Sequence, residues 1–154
     1  RKTVRKLAAR GFRRPSDDET LEKLVTMAMA ARDAPGGSFE NGIAAALTAI
    51  LASPRFLFRI EDEEAATGTK AGTAVLIDEF SLASRLSYFL WSTMPDDELF
   101  KLAERGELRQ NLPEQLDRML RDRRHDAFVR NFVGQWLRTR DVDAIPLDII
   151  AVLQ

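Results

Sequence analysis

Cysteine is absent from this chain, and its absence excludes disulfides, thiolate nucleophiles, iron–sulfur clusters, cysteine-based zinc sites and covalent haem attachment through a Cys-x-x-Cys-His segment. Histidine occurs once, at His125, so a Ser-His-Asp relay, a two-histidine metal site or axial haem ligation would rest on a single ring. No apolar run approaches the roughly 18 residues needed to cross a bilayer. The most apolar stretches, 43–52 and 86–91, are short. A dominant charge is also missing. The 23 Lys and Arg residues nearly cancel the 24 Asp and Glu, so no whole-molecule field selects nucleic acid or an anionic membrane. No period-two alternation flanks a hairpin dipeptide, which leaves no strand signal.

What remains is helical spacing with clear punctuation. Of 154 residues 45% are apolar, enough to enclose one sizeable core in one domain or in two small packed units. Val4, Leu7 and Ala8 share one side of a first helix, expected to stop at Gly11 in a left-handed cap. Ser16-Asp17-Asp18-Glu19 has the form of a capping box with Ser16 as the cap. Leu21, Leu24, Val25, Ala28 and Met29 then form a stripe that Pro35-Gly36-Gly37 ends. Ser38 can cap a helix carrying Phe39, Ile43, Ala46, Leu47 and Ile50, and Pro54 suits the first turn of a short continuation over 55–59.

Residues 61–72 turn acidic and then small, which predicts an exposed linker. Asp78 can cap the helix predicted to be most buried, with Leu82, Leu86, Phe89 and Leu90 on one face and Phe80, Ala83, Tyr88 and Trp91 widening it. Pro95 fits the first position of the next helix, which Gly106 closes. Pro113 opens another, with Leu112, Leu116, Met119 and Leu120 as its stripe. The last helix, over 124–139, carries the rows Phe128-Phe132-Trp136 and Val129-Val133-Leu137, and is predicted to bury both before Ile145-Pro146. The expected fold is all-α, an irregular or orthogonal bundle of about seven to eight amphipathic helices. Its expected divisions are an N-terminal part over 1–60, a linker over 61–75 and a second helical part over 76–154.

Each group that suggests chemistry has a plainer structural explanation. His125 lies in the charged helix start Asp122-Arg123-Arg124-His125-Asp126, which suits an exposed or capping role. Asp96, Asp97 and Glu98 resemble paired catalytic acids, yet their place behind Pro95 is explained by the helix dipole. Glu61, Asp62, Glu63 and Glu64 lack the spaced ligands of a calcium loop, and 68–73 lacks the Walker order of a phosphate loop. Ser81, Ser84, Ser87 and Ser92 have no nucleophile elbow. Seven of the first fourteen residues are Lys or Arg, and Arg118, Arg121, Arg123, Arg124 and Arg130 form a second group, interleaved with acids that favour solvated helix faces. Trp91 and Trp136 sit at helical spacing on apolar faces, which predicts core packing for both.

Two long literal motifs carry a family resemblance. Phe12-Arg13-Arg14-Pro15, with the stretch from Ala49 to Glu61, resembles domain-of-unknown-function family 1595. The stretches from Leu82 to Ser92, Met94 to Leu99 and Asn131 to Leu137 resemble the start of family 1592. The resemblance implies a piece of a large, exported, multidomain bacterial protein, periplasmic or extracellular, often with a c-type cytochrome domain elsewhere in its chain. It supplies no catalytic, metal or cofactor residues for this piece. The N-terminus, Arg1-Lys2-Thr3-Val4-Arg5-Lys6-Leu7, has no initiator Met or signal-peptide core, so it is expected to continue a longer polypeptide.

These readings favour a non-catalytic helical scaffold or docking module whose partners are other domains of its own polypeptide or another protein. Arg55, Arg59 and Arg85 are its candidate partner-binding charges, since they stand inside apolar family motifs; acids such as Glu61 or Asp97 are their expected structural partners. The rival is a hydrolytic or oxidative enzyme completed by absent domains, which requires buried acids with shifted pKa values near Asp96 or Glu61. A third class binds anions or nucleic acid through the basic N-terminus and requires a continuous positive face.

Overall fold

The computed structural model describes residues 1–58 and 76–137. The expected linker, Arg59, the acids of 61–64, the stretch 68–73 and the tail with Ile145-Pro146 lie outside the described residues. The fold is all-α, an irregular helical bundle. Apart from a lone bridge residue at Ile77, no strand occurs among the described residues. The helices are α1 (Lys2–Phe12), α2 (Asp18–Asp33), α3 (Phe39–Ala52), α4 (Pro54–Leu57), α5 (Glu79–Trp91), α6 (Asp97–Glu104) and α7 (Leu112–Arg121). A 3-10 turn (Arg123–His125) then leads into α8 (Asp126–Phe128), a π-helical turn (Val129–Val133) and α9 (Gly134–Trp136).

Helices α1 to α4 enclose a first core of Val4, Ala8, Phe12, Leu21, Leu24, Ala46 and Ile50. Close approach of backbones requires glycine at two points. A Cβ at Gly42 would lie 2.6 Å from the Ala28 carbonyl oxygen, and one at Gly11 would lie 2.5 Å from Ile50 Cγ2. Gly11 therefore does not stop α1. The helix continues to Phe12, and Arg13 takes the left-handed conformation instead, at φ 59°.

The cap of α2 also differs from expectation by one residue. Asp17 accepts from the Thr20 N–H at 2.7 Å, while Ser16 Oγ is buried with no partner among the described residues. A carboxylate is the stronger acceptor, and Asp17 also accepts from the Thr20 hydroxyl and from Arg55. Ser38 caps α3 as its sequence implies, through the Asn41 N–H.

The second core joins Ala83, Leu90, Trp91, Leu99, Ala103, Leu108 and Met119. Asp78 caps α5 by accepting from the Phe80 and Ser81 N–H groups. The buried face of α5 is not the expected bulky row. Ser81, Ala83, Ser84 and Ser87 are buried with Leu90 and Trp91, Leu82 and Leu86 are half-buried, and Phe89 is 57% exposed. Small side chains let neighbouring helices approach closely, so the larger ones fall at the margin. Pro95 is buried just outside α6 instead of opening it. Asp96 is the cap and accepts from the Leu99 N–H. Gly106, at φ 68°, closes the helix as expected.

The last run departs most from expectation. Phe128 is half-buried against the second core, but Val129, Phe132, Trp136 and Leu137 are exposed, Trp136 at 73%. Trp136 is therefore not a core residue, although Trp91 is. The π-helical turn adds a residue between Phe128 and Gly134 and rotates the residues after it relative to an α-helical stripe.

Leu21→Ala and Leu99→Ala, at fully buried sites, should each cost roughly 2–5 kcal/mol in urea titrations, whereas Trp136→Ala should cost less than about 1 kcal/mol. Equal losses at Leu99 and Trp136 would contradict this assignment of faces.

Candidate functional site: an arginine joint and an exposed aromatic face

Three arginines at the end of α1 tie the first core to the second. Arg14 Nη2 lies 3.2 Å from both Asp78 Oδ2 and Ser81 Oγ, at the start of α5. Arg10 pairs with Asp97 at 2.8 Å, at the start of α6. Between them Arg13 is only 9% exposed. Its Nη2 donates to the carbonyls of Arg55, Phe56 and Phe58 at 3.0–3.3 Å, and its Nη1 to the Tyr88 hydroxyl at 3.4 Å. Carbonyls at the end of a short helix have no partners within it, so a guanidinium placed there satisfies acceptors that the helix leaves open. The same guanidinium lies 5.9 Å from the ring centroids of Phe56, which packs against the first core, and of Tyr88 on α5.

Asp78 shows how such carboxylates stay ionised. Burial alone would raise its pKa. The Ser81 hydroxyl and N–H, the Arg14 charge and the Phe80 N–H together lower it instead. Arg1 and Arg5, at the start of the chain, are also engaged. Arg1 pairs with Glu22 at 2.7 Å, and Arg1 and Arg5 both reach Asp18 at 3.6 Å.

A second cluster surrounds Trp91. Its buried indole N–H donates to the Met119 carbonyl at 3.0 Å, and the Arg124 guanidinium lies 3.5 Å from the ring centroid. Arg118 is 5.5 Å from the same ring. Both arginines pair with Asp96, at 2.8 and 3.4 Å. Burial acts to raise the pKa of Asp96, but the bonds from Arg118 and the Leu99 N–H, with the charges of Arg118 and Arg124, bring it below the usual value. Asp122 is held well below the carboxylate range, first by hydrogen bonds from the Arg124 side chain and N–H. Arg121 pairs with Asp117, and His125 Nδ1 is 3.2 Å from the Asp122 carbonyl oxygen in a helix-terminal turn. Among the described residues no group of His, Asp and Glu has a metal-binding arrangement.

Two of the candidate partner-binding arginines, Arg55 and Arg85, are among the described residues. Arg55 Nη1 reaches Asp17 at 2.8 Å and Thr20 Oγ1 at 3.2 Å, with its guanidinium 6.0 Å from the Phe12 ring centroid. It therefore fastens α4 to the start of α2, and its acid is Asp17, not Asp97. Arg85 is exposed on α5, one turn before Phe89. Arg59 lies outside the described residues.

The feature that sequence reasoning assigned to the interior is an aromatic face. Phe89 meets Phe128 edge-on at 5.0 Å, Phe128 stacks on Phe132 at 5.0 Å, and Phe132 stacks on Trp136 at 6.4 Å. Phe89, Phe132 and Trp136 are 57, 46 and 73% exposed. The sequence did hold a hint, because two apolar rows on one terminal helix exceed what α5 alone can cover.

An all-α chain with two hydrophobic cores, fastened by arginines from its first helix, is the class that fold and contacts define. Residues 1–61 match the family described as Protein of unknown function (DUF1595), and residues 77–149 match Protein of unknown function (DUF1592). No curated protein and no solved structure matches the chain.

Asp78 and Asp96, the part-buried carboxylates with lowered pKa values, contribute to the pH dependence of stability beside the exposed Asp17 and Asp122, whose values are also lowered but whose pairs are screened by water. A carboxylate with a lowered folded-state pKa contributes stability that is fully present above its ordinary value, near 3.8, and is lost as pH falls through the folded value. Urea midpoints should therefore hold from neutrality to about pH 5 and decline below about pH 4. Asp96→Asn should lower the neutral midpoint and flatten the acid decline.

Proposed function

We propose that this chain is a non-catalytic helical scaffold and docking module of a larger exported protein linked to electron transfer, and that its docking surface is the Phe89–Phe132–Trp136 face. The exposed, mutually stacked aromatic side chains carry this reading. Contiguous exposed apolar patches mark interaction sites, and aromatic anchors dominate interface energetics. The occupant we assign is another part of the same polypeptide. The family match runs to residue 149, past the last described residue, so the face adjoins further chain of the same family unit. Arg85, one turn from Phe89, is the candidate charge that stands nearest this face in the sequence of α5.

Two observations weigh against the enzyme reading. Asp96, its best acid, is shifted downward by two arginines, which opposes a general-acid role, and Asp97 is exposed and paired. Export and the electron-transfer link rest on the family resemblance alone. A c-type haem would belong to another domain, since this chain offers no cysteine for its attachment.

The test titrates this chain against the remaining domains of its parent polypeptide while monitoring tryptophan emission. Trp136 should shift to the blue and lose acrylamide quenching on docking, and the Phe132→Ser/Trp136→Ser pair should weaken binding by at least about tenfold with little change in the urea midpoint. Binding that is indifferent to the double substitution would overturn the assignment of the face.

A further inference from the structure

Arg13 is a buried charge whose hydrogen bonds, among the described residues, all go to neutral acceptors: three carbonyls and the Tyr88 hydroxyl. Its neighbours in sequence differ. Arg10 and Arg14 each hold a carboxylate, as do Arg1 and Arg5. A guanidinium has five N–H donors. Those of Nη2 are shared among the carbonyls, one long bond leaves Nη1, and Nε–H has no acceptor among the described residues. A cation taken out of water without a counter-charge is costly, and an anion beside it recovers part of that cost.

A cleft of about 280 Å³ opens beside this guanidinium. Arg10 and Arg13 contribute its positive charge, Tyr88 and Thr93 its hydroxyls, and Phe56 and Met94 its apolar walls. Its volume lies just under the roughly 300 Å³ at which pockets for drug-sized ligands begin, so a small occupant fits. The apolar walls do not suit an inorganic oxyanion, which asks for donors on every side. Nucleic acid is disfavoured for a different reason: Arg5 and Arg10 on α1, and Arg14 beyond it, are already paired with acids.

We propose that this cleft binds a small organic carboxylate, with the carboxylate toward Arg10 and Arg13 and an apolar body against Phe56 and Met94. The ligand would compete with Asp97 for Arg10, whose pair is solvent-exposed. Because the lining comes from α1 and α4 on one side and from the end of α5 on the other, binding would tighten the joint between the two cores. This site is separate from the aromatic face, so either proposal can fail without the other.

The test uses calorimetric titration of the 154-residue chain with sodium benzoate, neutral benzamide and inorganic phosphate, with the proton resonances of Tyr88, the chain's single tyrosine, as a local reporter. Benzoate should bind saturably, shift the Tyr88 signals and outbind benzamide by at least about tenfold, the effect of one charge-assisted hydrogen bond. Arg10→Gln should weaken benzoate by a similar factor, and Met94→Trp, which fills the cleft, should abolish binding while the circular dichroism spectrum stays helical. The proposal is overturned by any of four results: no saturation up to on the order of 10 mM benzoate, equal affinity for benzamide, phosphate binding as tight as benzoate, or unchanged affinity in folded Arg10→Gln and Met94→Trp chains.

Discussion

The buried guanidinium of Arg13 is the contact on which the arrangement of the two cores depends. It satisfies carbonyls at the end of α4, stands between the rings of Phe56 and of Tyr88 on α5, and reaches the Tyr88 hydroxyl. What is buried is the guanidinium itself: a charged group taken out of water depends on its hydrogen bonds more than an exposed ion pair does, the latter contributing about 0–1 kcal/mol. The left-handed backbone of Arg13 belongs to the same arrangement. A non-glycine residue at φ 59° is uncommon, and this one persists with its side chain held by four acceptors and two rings.

Around this contact the charges sort themselves into neutral local sets. Asp17, Asp78 and Asp96 each cap a helix and each accept from an arginine, so a single carboxylate meets both the helix's first N–H groups and a distant cation. That dual use places opposite charges side by side in a chain of which 31% of the residues are charged. It also bears on function. Carboxylates arranged this way are stabilised as anions, which suits positioning and opposes proton donation at neutral pH.

The aromatic face has the opposite character. Its rings stack on one another but expose much of their surface, and they sit on a run whose π-helical turn interrupts the α-helical register. A tightly paired charged body with one apolar margin matches the general anatomy of a module that contacts other domains, since interface cores are poor in charge and rich in aromatic rings.

The all-α class, the order of the helices and most of their ends were written in the sequence, because capping groups, breakers and apolar spacing act over a few residues, and its literal motifs carried the likeness to two families. Ser38, Asp78, Gly106 and the middle of the stripes of α2 and α3 were legible for that reason, whereas Met29, Phe39 and Leu47, expected on those stripes, stand exposed because no element among the described residues covers them. Tertiary structure decided what depends on a neighbour. Gly11 serves a helix crossing instead of a stop because Ile50 lies 2.5 Å from where its Cβ would be. The small side chains of α5 are buried in preference to Phe89, and Arg13 turns inward where Arg1, Arg5 and Arg10 pair at the surface. Periodicity states which side chains share a face, but whether that face is dry depends on whether another element covers it, and the row ending in Trp136 has no such cover among the described residues.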